Sequence, residues 1–128
     1  VKVLLDTHSL FWFIEASSQL SEPARRVISE PTHTILVSPA SYWEMAIRIS
    51  LGKWQLNRPY DDFLDVAFNS YGFKTIPIQQ RHTSRLIDLP FHHKYPFDRL
   101  IISQALVDQV PIVSADTKLD AYGVHRVW

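Results

Sequence analysis

Apolar and polar positions along the chain fall into short alternating blocks. Val1 to Leu5 is a mostly apolar run with β-branched members that stops at Asp6, the pattern of a strand buried on both faces. Thr7 to Glu15, carrying Leu10, Phe11, Trp12 and Ile14, predicts a helix. Ser21-Glu22-Pro23 opens a second helix with Pro near its first turn, and Pro31 ends it. Thr34 to Val37 is the next strand, and Ser38-Pro39 leads into a helix from Ala40 to about Ser50 that Gly52 closes. Phe63, Leu64, Ala67 and Phe68 give helical spacing from Tyr60 to Tyr71, with Gly72 as the stop. Phe73 to Ile78 is a weaker strand containing Pro77, and Gln79 to Leu89 is a helix. Pro90 to Pro96 is a loop, Phe97 to Asp108 a helix, and Pro111 to Ala115 a buried strand. Asp116 to Tyr122 forms a short helix, Gly123 a turn and Val124 to Val127 a last strand. Strands alternating with helices imply an α/β fold, with a parallel sheet covered on both faces.

At 128 residues the chain is expected to form one domain, residues 1–128. Its 46% hydrophobic and 12% aromatic content against 20% charged excludes a disordered chain. Thirteen Lys+Arg balance thirteen Asp+Glu, so a large basic excess is not available for non-specific nucleic-acid binding. The absence of Cys removes thiolate chemistry and Cys-ligated zinc and fits a reducing compartment, with cytoplasm the expectation. Stretches free of charge, such as Pro31 to Trp43, fall short of the ~18–20 apolar residues of a membrane span. Asp6 interrupts the first apolar run, against a signal peptide. Gly52, Gly72 and Gly123 lie too far apart for a GxGxxG, Walker A or GxSxG motif.

Ligands of open α/β sheets bind beyond the carboxyl ends of the strands, where Asp6 and Asp116 fall. A helix cap alone would explain either of them. Glu44 sits among Tyr42, Trp43, Met45 and Ala46, with Arg48 four residues on as an ion-pair partner. Asp98 has Ile101, Ile102 and Ala105 at i+3, i+4 and i+7, which puts it on the core-facing stripe of its helix. If the four converged, each pair of carboxylates ~5 Å apart would repel by roughly 3 kcal/mol at an effective dielectric of about 20. Such a cluster takes up protons or a cation. Hard oxygen donors without Cys or a His pair favour Mg²⁺ or Mn²⁺, and such an ion suits phosphodiester hydrolysis.

The blocks Leu4 to Trp12 (LLDTHSLFW), Ser38 to Leu56 (SPASYWEMAIRISLGKWQL), Pro96 to Leu106 (PFDRLIISQAL) and Ser114 to Gly123 (SADTKLDAYG) carry a resemblance over nearly the whole chain. In order and spacing they resemble the PIN-domain ribonucleases, and among them the VapC-type toxins of bacterial toxin–antitoxin pairs. The resemblance implies a three-layer α/β/α fold around a central, mostly parallel sheet. It implies an acidic metal site of Asp6, Glu44, Asp98 and Asp116 that holds Mg²⁺ or Mn²⁺ and hydrolyses RNA. It also implies hydroxyl positions beside that site at Thr7 and Ser114, a cognate VapB-type antitoxin, and a homodimer. Tyr95 stands where many close relatives carry a further Asp, which bears on a second tightly held ion and not on the four-residue set.

Between Gln79 and Arg99 the basic residues Arg81, Arg85, Lys94 and Arg99 outnumber Asp88 and Asp98, and His93 adds a donor, so this stretch is expected to hold an RNA backbone. Trp12, Phe13 and Trp54 are expected to exceed what one small core hides and so to favour a dimer. The alternative reading is a PIN-like domain that binds RNA or a partner without cutting, against which the intact acidic set weighs. A phosphoryl-transfer enzyme with a DxD nucleophile ranks last, because His8 stands two residues after Asp6.

Overall fold

The structure is a computed structural model describing residues 1–128. Five strands run in one all-parallel sheet: β1 (Lys2–Leu5), β2 (Thr34–Val37), β3 (Lys74–Thr75), β4 (Ile112–Val113) and β5 (Arg126–Val127). Their order is β3-β2-β1-β4-β5. Six α-helices connect them: α1 (Thr7–Ile14), α2 (Glu22–Ser29), α3 (Pro39–Ser50), α4 (Tyr60–Asp65), α5 (Gln80–Ile87) and α6 (Pro96–Asp108). A 3₁₀ helix, Thr117–Tyr122, lies between β4 and β5.

The unbroken apolar runs are explained by two cores, one on each face. Val3, Leu5, Ile35, Val37 and Val113 point into a core shared with Leu10, Phe13, Met45 and Phe63. Their strand neighbours Leu4, Leu36 and Ile112 point the other way, onto Ile101, Ile102, Ala105 and Leu119. A period of two with both faces covered leaves no polar position inside the strand. The expected three-layer α/β/α architecture is therefore the observed one.

Local outcomes differ from the expected pattern, and the last two strands pair only over Ile112–Val113 and Arg126–Val127. The Tyr60 to Tyr71 helix widens into a π turn at Val66–Ser70 before Gly72, whose φ of +72° ends it. The strand expected over Phe73 to Ile78 pairs only at Lys74–Thr75, because it is an edge strand and Pro77 cannot donate to a ladder. Trp12, Phe13 and Trp54 are not spare surface: Phe13 is buried, and Trp12 and Trp54 pack partly buried on the same core. Exposed apolar residues include instead Trp43 and Ile47 on α3 with Leu51 at its C-cap, and Ile87, Phe91 and Tyr95 around the loop before α6.

The chain leaves β1 toward β2 and β3 on one side and returns to β4 and β5 on the other. This makes the crevice between β1 and β4 the switch point at which such sheets take ligands.

Candidate active site

Asp6 follows β1 directly, and its backbone N–H donates to the carbonyl of Val113 in β4 at 3.2 Å, fixing it at the switch point. Its carboxylate caps α1 by accepting the Ser9 N–H at 2.8 Å. Asp116 lies three residues beyond β4 and caps the 3₁₀ helix through the Lys118 N–H at 3.0 Å. Both residues are therefore caps, and both also line one small pocket.

That pocket is lined by Asp6, Asp98, Asp116, Ile101, Ile102 and Leu119. Asp98 reaches it from the first turn of α6, whose Ile101 and Ile102 anchor the helix in the second core. Glu44 approaches from α3, which packs on α6. It is only 5% exposed, with Oε2 held by Arg48 at 3.1 Å and Oε1 buried without a hydrogen-bond partner. The i,i+4 pair with Arg48 thus forms, and it satisfies half of the carboxylate. Larger clefts elsewhere on the surface hold at most one carboxylate each.

The charges of the other three acids bear on Asp98. Asp98 is pushed up to about 6, first by burial and then by the charge of Glu44, with Asp6 and Asp116 adding to it and His93 opposing. Burial also raises Asp6 above the usual carboxylate range, against hydrogen bonds from Ser114 and Ser9. Asp116 behaves oppositely: burial raises it, but the hydrogen bonds from His93 and the Lys118 N–H outweigh this and hold it below its ordinary value. No three acidic or imidazole groups already stand as a closed ligand set. Asp6, Asp116 and Glu44 have each turned part of their hydrogen-bonding capacity toward their own helix or partner.

Ser114 is buried beside Asp6, and its Oγ accepts the Asp116 N–H at 3.0 Å, so this hydroxyl ties the two aspartates together. Thr7 makes its side-chain hydrogen bond to Ser41 and not to a carboxylate. Its Oγ1 donates to Ser41 Oγ at 3.1 Å, joining α1 to α3.

The basic residues divide. Arg81 is not brought to the pocket: it binds Asp108 at the far end of α6, ten residues beyond Asp98 and therefore ~15 Å along the helix. Arg99 is 5% exposed, and its guanidinium donates to the carbonyls of Leu86, Leu89, Pro90 and His93 while stacking on Phe91. It organises the loop before α6, with both terminal nitrogens of its guanidinium committed to backbone carbonyls. His93 is buried against Asp116. Lys94 is exposed, Arg85 is half-buried, and neither forms an ion pair. The roles of Arg99, His93 and Tyr122 were not readable from charge or period, because they depend on a loop folding back over the 3₁₀ helix.

Residues 3–124 match the sequence profile of the PIN domain. The chain belongs to the PIN-domain family. No curated protein matches it significantly, whereas several solved structures share the fold of this PIN domain. It is similar to the toxin–antitoxin complex VapBC2 of Rickettsia felis bound to a DNA fragment from its promoter, with 15% identity and a TM-score of 0.72 over 98% of this chain and 97% of that one. It is also similar to VapBC-1 of nontypeable Haemophilus influenzae, at 13% identity and a TM-score of 0.68 over 98% and 96% of the two chains. A third similar structure is VapC20 of Mycobacterium tuberculosis, a sarcin–ricin loop cleaving toxin, at 12% identity and a TM-score of 0.67 over 95% of each chain.

Proposed function

We propose that this PIN domain is a metal-dependent endoribonuclease, acting as the VapC-type toxin of a toxin–antitoxin pair. One observation carries the reading: Asp6, Asp98 and Asp116 line a single pocket at the switch point, and the charge of Glu44 bears on Asp98 there. The donor set fits a hard divalent cation. It is all oxygen, Glu44 Oε1 is buried with no partner, and burial together with the charge of Glu44 raises Asp98, so a cation would relieve what the protein leaves unbalanced. Asp6, Glu44, Asp98 and Asp116 would hold Mg²⁺ or Mn²⁺. When bound, such an ion supplies an activated water and stabilises the leaving oxygen of a phosphodiester.

The chain's own residues prepare that chemistry. Ser9 and Ser114 orient the Asp6 carboxylate, and Arg48 fixes the rotamer of Glu44. Ile101, Ile102 and Leu119 form an apolar floor that keeps the local dielectric low and strengthens every charge interaction above it. Lys94, exposed on the loop leading into α6, and Arg85, half-buried on α5, are the basic residues of this stretch left to meet an RNA phosphate.

The similar structures include VapBC proteins and a toxin–antitoxin complex from Klebsiella pneumoniae, and VapC20 is a sarcin–ricin loop cleaving toxin. These support a cognate VapB-type antitoxin, an RNA substrate and a cytoplasmic site of action for this chain. The apolar stripe of Trp43, Ile47 and Leu51 supports a homodimer. The test is expression in a bacterial host: the native chain is expected to arrest growth, Asp6→Asn and Asp98→Asn to be harmless while folded. Arrest by folded Asp98→Asn would overturn the assignment.

A further inference from the structure

His93 is 8% exposed, and both of its ring nitrogens are engaged. Nε2 lies 2.6 Å from Asp116 Oδ2, and Nδ1 lies 2.9 Å from the Tyr122 hydroxyl. An ionised carboxylate only accepts, so Nε2 carries the proton of the first bond. In the neutral ring Nδ1 is then an acceptor, and the Tyr122 O–H must donate to it. Hydrogen bonds therefore run one way, from Tyr122 through His93 to Asp116.

The chain is anchored at both ends. Arg99 Nη1 donates to the carbonyls of Pro90 at 2.9 Å and His93 at 3.4 Å, holding the backbone that presents the ring. Asp116 Oδ1 is held separately by the Lys118 N–H at 3.0 Å. Both carboxylate oxygens are thus fixed from outside the pocket, and the His93 ring has no donor left for a phosphate.

We infer that His93 is not an RNA contact but a positioning residue, which with Tyr122 behind it sets the orientation of Asp116 toward a divalent cation. The inference rests on the proposed reading that Asp116 belongs to the acidic metal set. Hydrogen-bonded partners of metal-ligating groups commonly govern ~10–100-fold in ion affinity.

The test titrates the full chain with Mn²⁺ alone, following the free ion by electron paramagnetic resonance, with thermal melts as the check on folding. His93→Phe is expected to weaken Mn²⁺ binding by roughly 10–100-fold and Tyr122→Phe by a smaller factor. His93→Gln, whose amide N–H replaces Nε2–H, is expected to recover part of the loss. ¹⁵N spectra of the native imidazole at mildly alkaline pH are expected to show the Nε2–H tautomer, and Tyr122→Phe to keep it, because Asp116 Oδ2 alone requires the proton on Nε2. If His93→Phe fails to fold, Tyr122→Phe and the nitrogen spectra decide. Native Mn²⁺ affinity in Tyr122→Phe and in folded His93→Phe, an Nδ1–H tautomer, or a native chain that binds no Mn²⁺ would each overturn the inference. A native chain that binds Mn²⁺ with this tautomer yet leaves RNA uncut overturns the nuclease reading alone.

Discussion

Arg48 holds one oxygen of Glu44 at 3.1 Å while the other oxygen of the same carboxylate is buried and unpaired. The charge of Glu44 is therefore fixed in place without being fully neutralised, and among the neighbouring charges it does most to raise Asp98. Glu44→Gln keeps the shape and removes the charge. Asp98 is expected to titrate below about 6 in this variant, partway back toward an ordinary carboxylate, because burial still acts on it. Carboxyl ¹³C shifts followed against pH would check this. An unmoved Asp98 would mean that burial acts alone.

The raised Asp98 also makes a statement about stability. The folded chain holds this proton up to about 6 whereas the unfolded chain releases it near 3.8, so between those values the folded state binds more protons. Stability of the metal-free protein is therefore expected to fall as pH rises through that window, and Asp98→Asn should abolish this component. At neutral pH the variant is expected to be more stable by on the order of 1–2 kcal/mol, discounted for the partial exposure of the group. Below about pH 4 the two should converge. Denaturant melts at several pH values measure it, and a marked loss of stability in Asp98→Asn would assign the residue to capping alone.

At the other end of α6, His82 is fully buried. It accepts the Gln79 N–H at Nδ1 (3.0 Å) and meets Asp108 at Nε2 (3.0 Å), and Arg81 binds the same carboxylate. Asp108→Ala strands a buried donor and is expected to cost about 1–3 kcal/mol. Because this junction lies at the opposite end of the helix, Mn²⁺ affinity should be unchanged per folded molecule. A change in that affinity would show that the two ends of α6 are coupled.

Exposed Trp43, Ile47 and Leu51 recur every fourth residue from α3 to its C-cap, and Leu51 is 62% exposed. Sedimentation at micromolar concentration is expected to show a species near twice 14.9 kDa for the native chain. Leu51→Glu should shift it toward the monomer. A native monomer across a broad concentration range would contradict the homodimer.

The fold was legible where burial leaves one solution. Val3 to Leu5 and Ile35 to Val37 face two cores, so their apolar runs mark the central strands without ambiguity. The Asp98 stripe was legible for the same reason: Ile101, Ile102 and Ala105 commit one face of α6 to the sheet and carry the carboxylate with them. Edge strands were less so, since β3 has one neighbour and pairs over Lys74–Thr75 alone. The fates of the basic residues were hidden because they depend on contacts distant in sequence. Arg81 finds Asp108 across 27 residues and His93 finds Asp116 across 23. Arg99 is used up on carbonyls of its own preceding loop. Charge counted along the chain does not distinguish a guanidinium that reaches solvent from one that folds inward.

The most direct measurement of the central claim is the chemistry of the cut ends. The purified chain is incubated with RNA and Mg²⁺ or Mn²⁺, and the new termini are identified with and without EDTA. Hydrolysis by water at an acidic metal site predicts 5′-phosphate and 3′-hydroxyl ends, no cleavage in EDTA, and none by folded Asp6→Asn or Asp98→Asn. Cleavage that persists in EDTA, or ends bearing a 2′,3′-cyclic phosphate, would contradict the account.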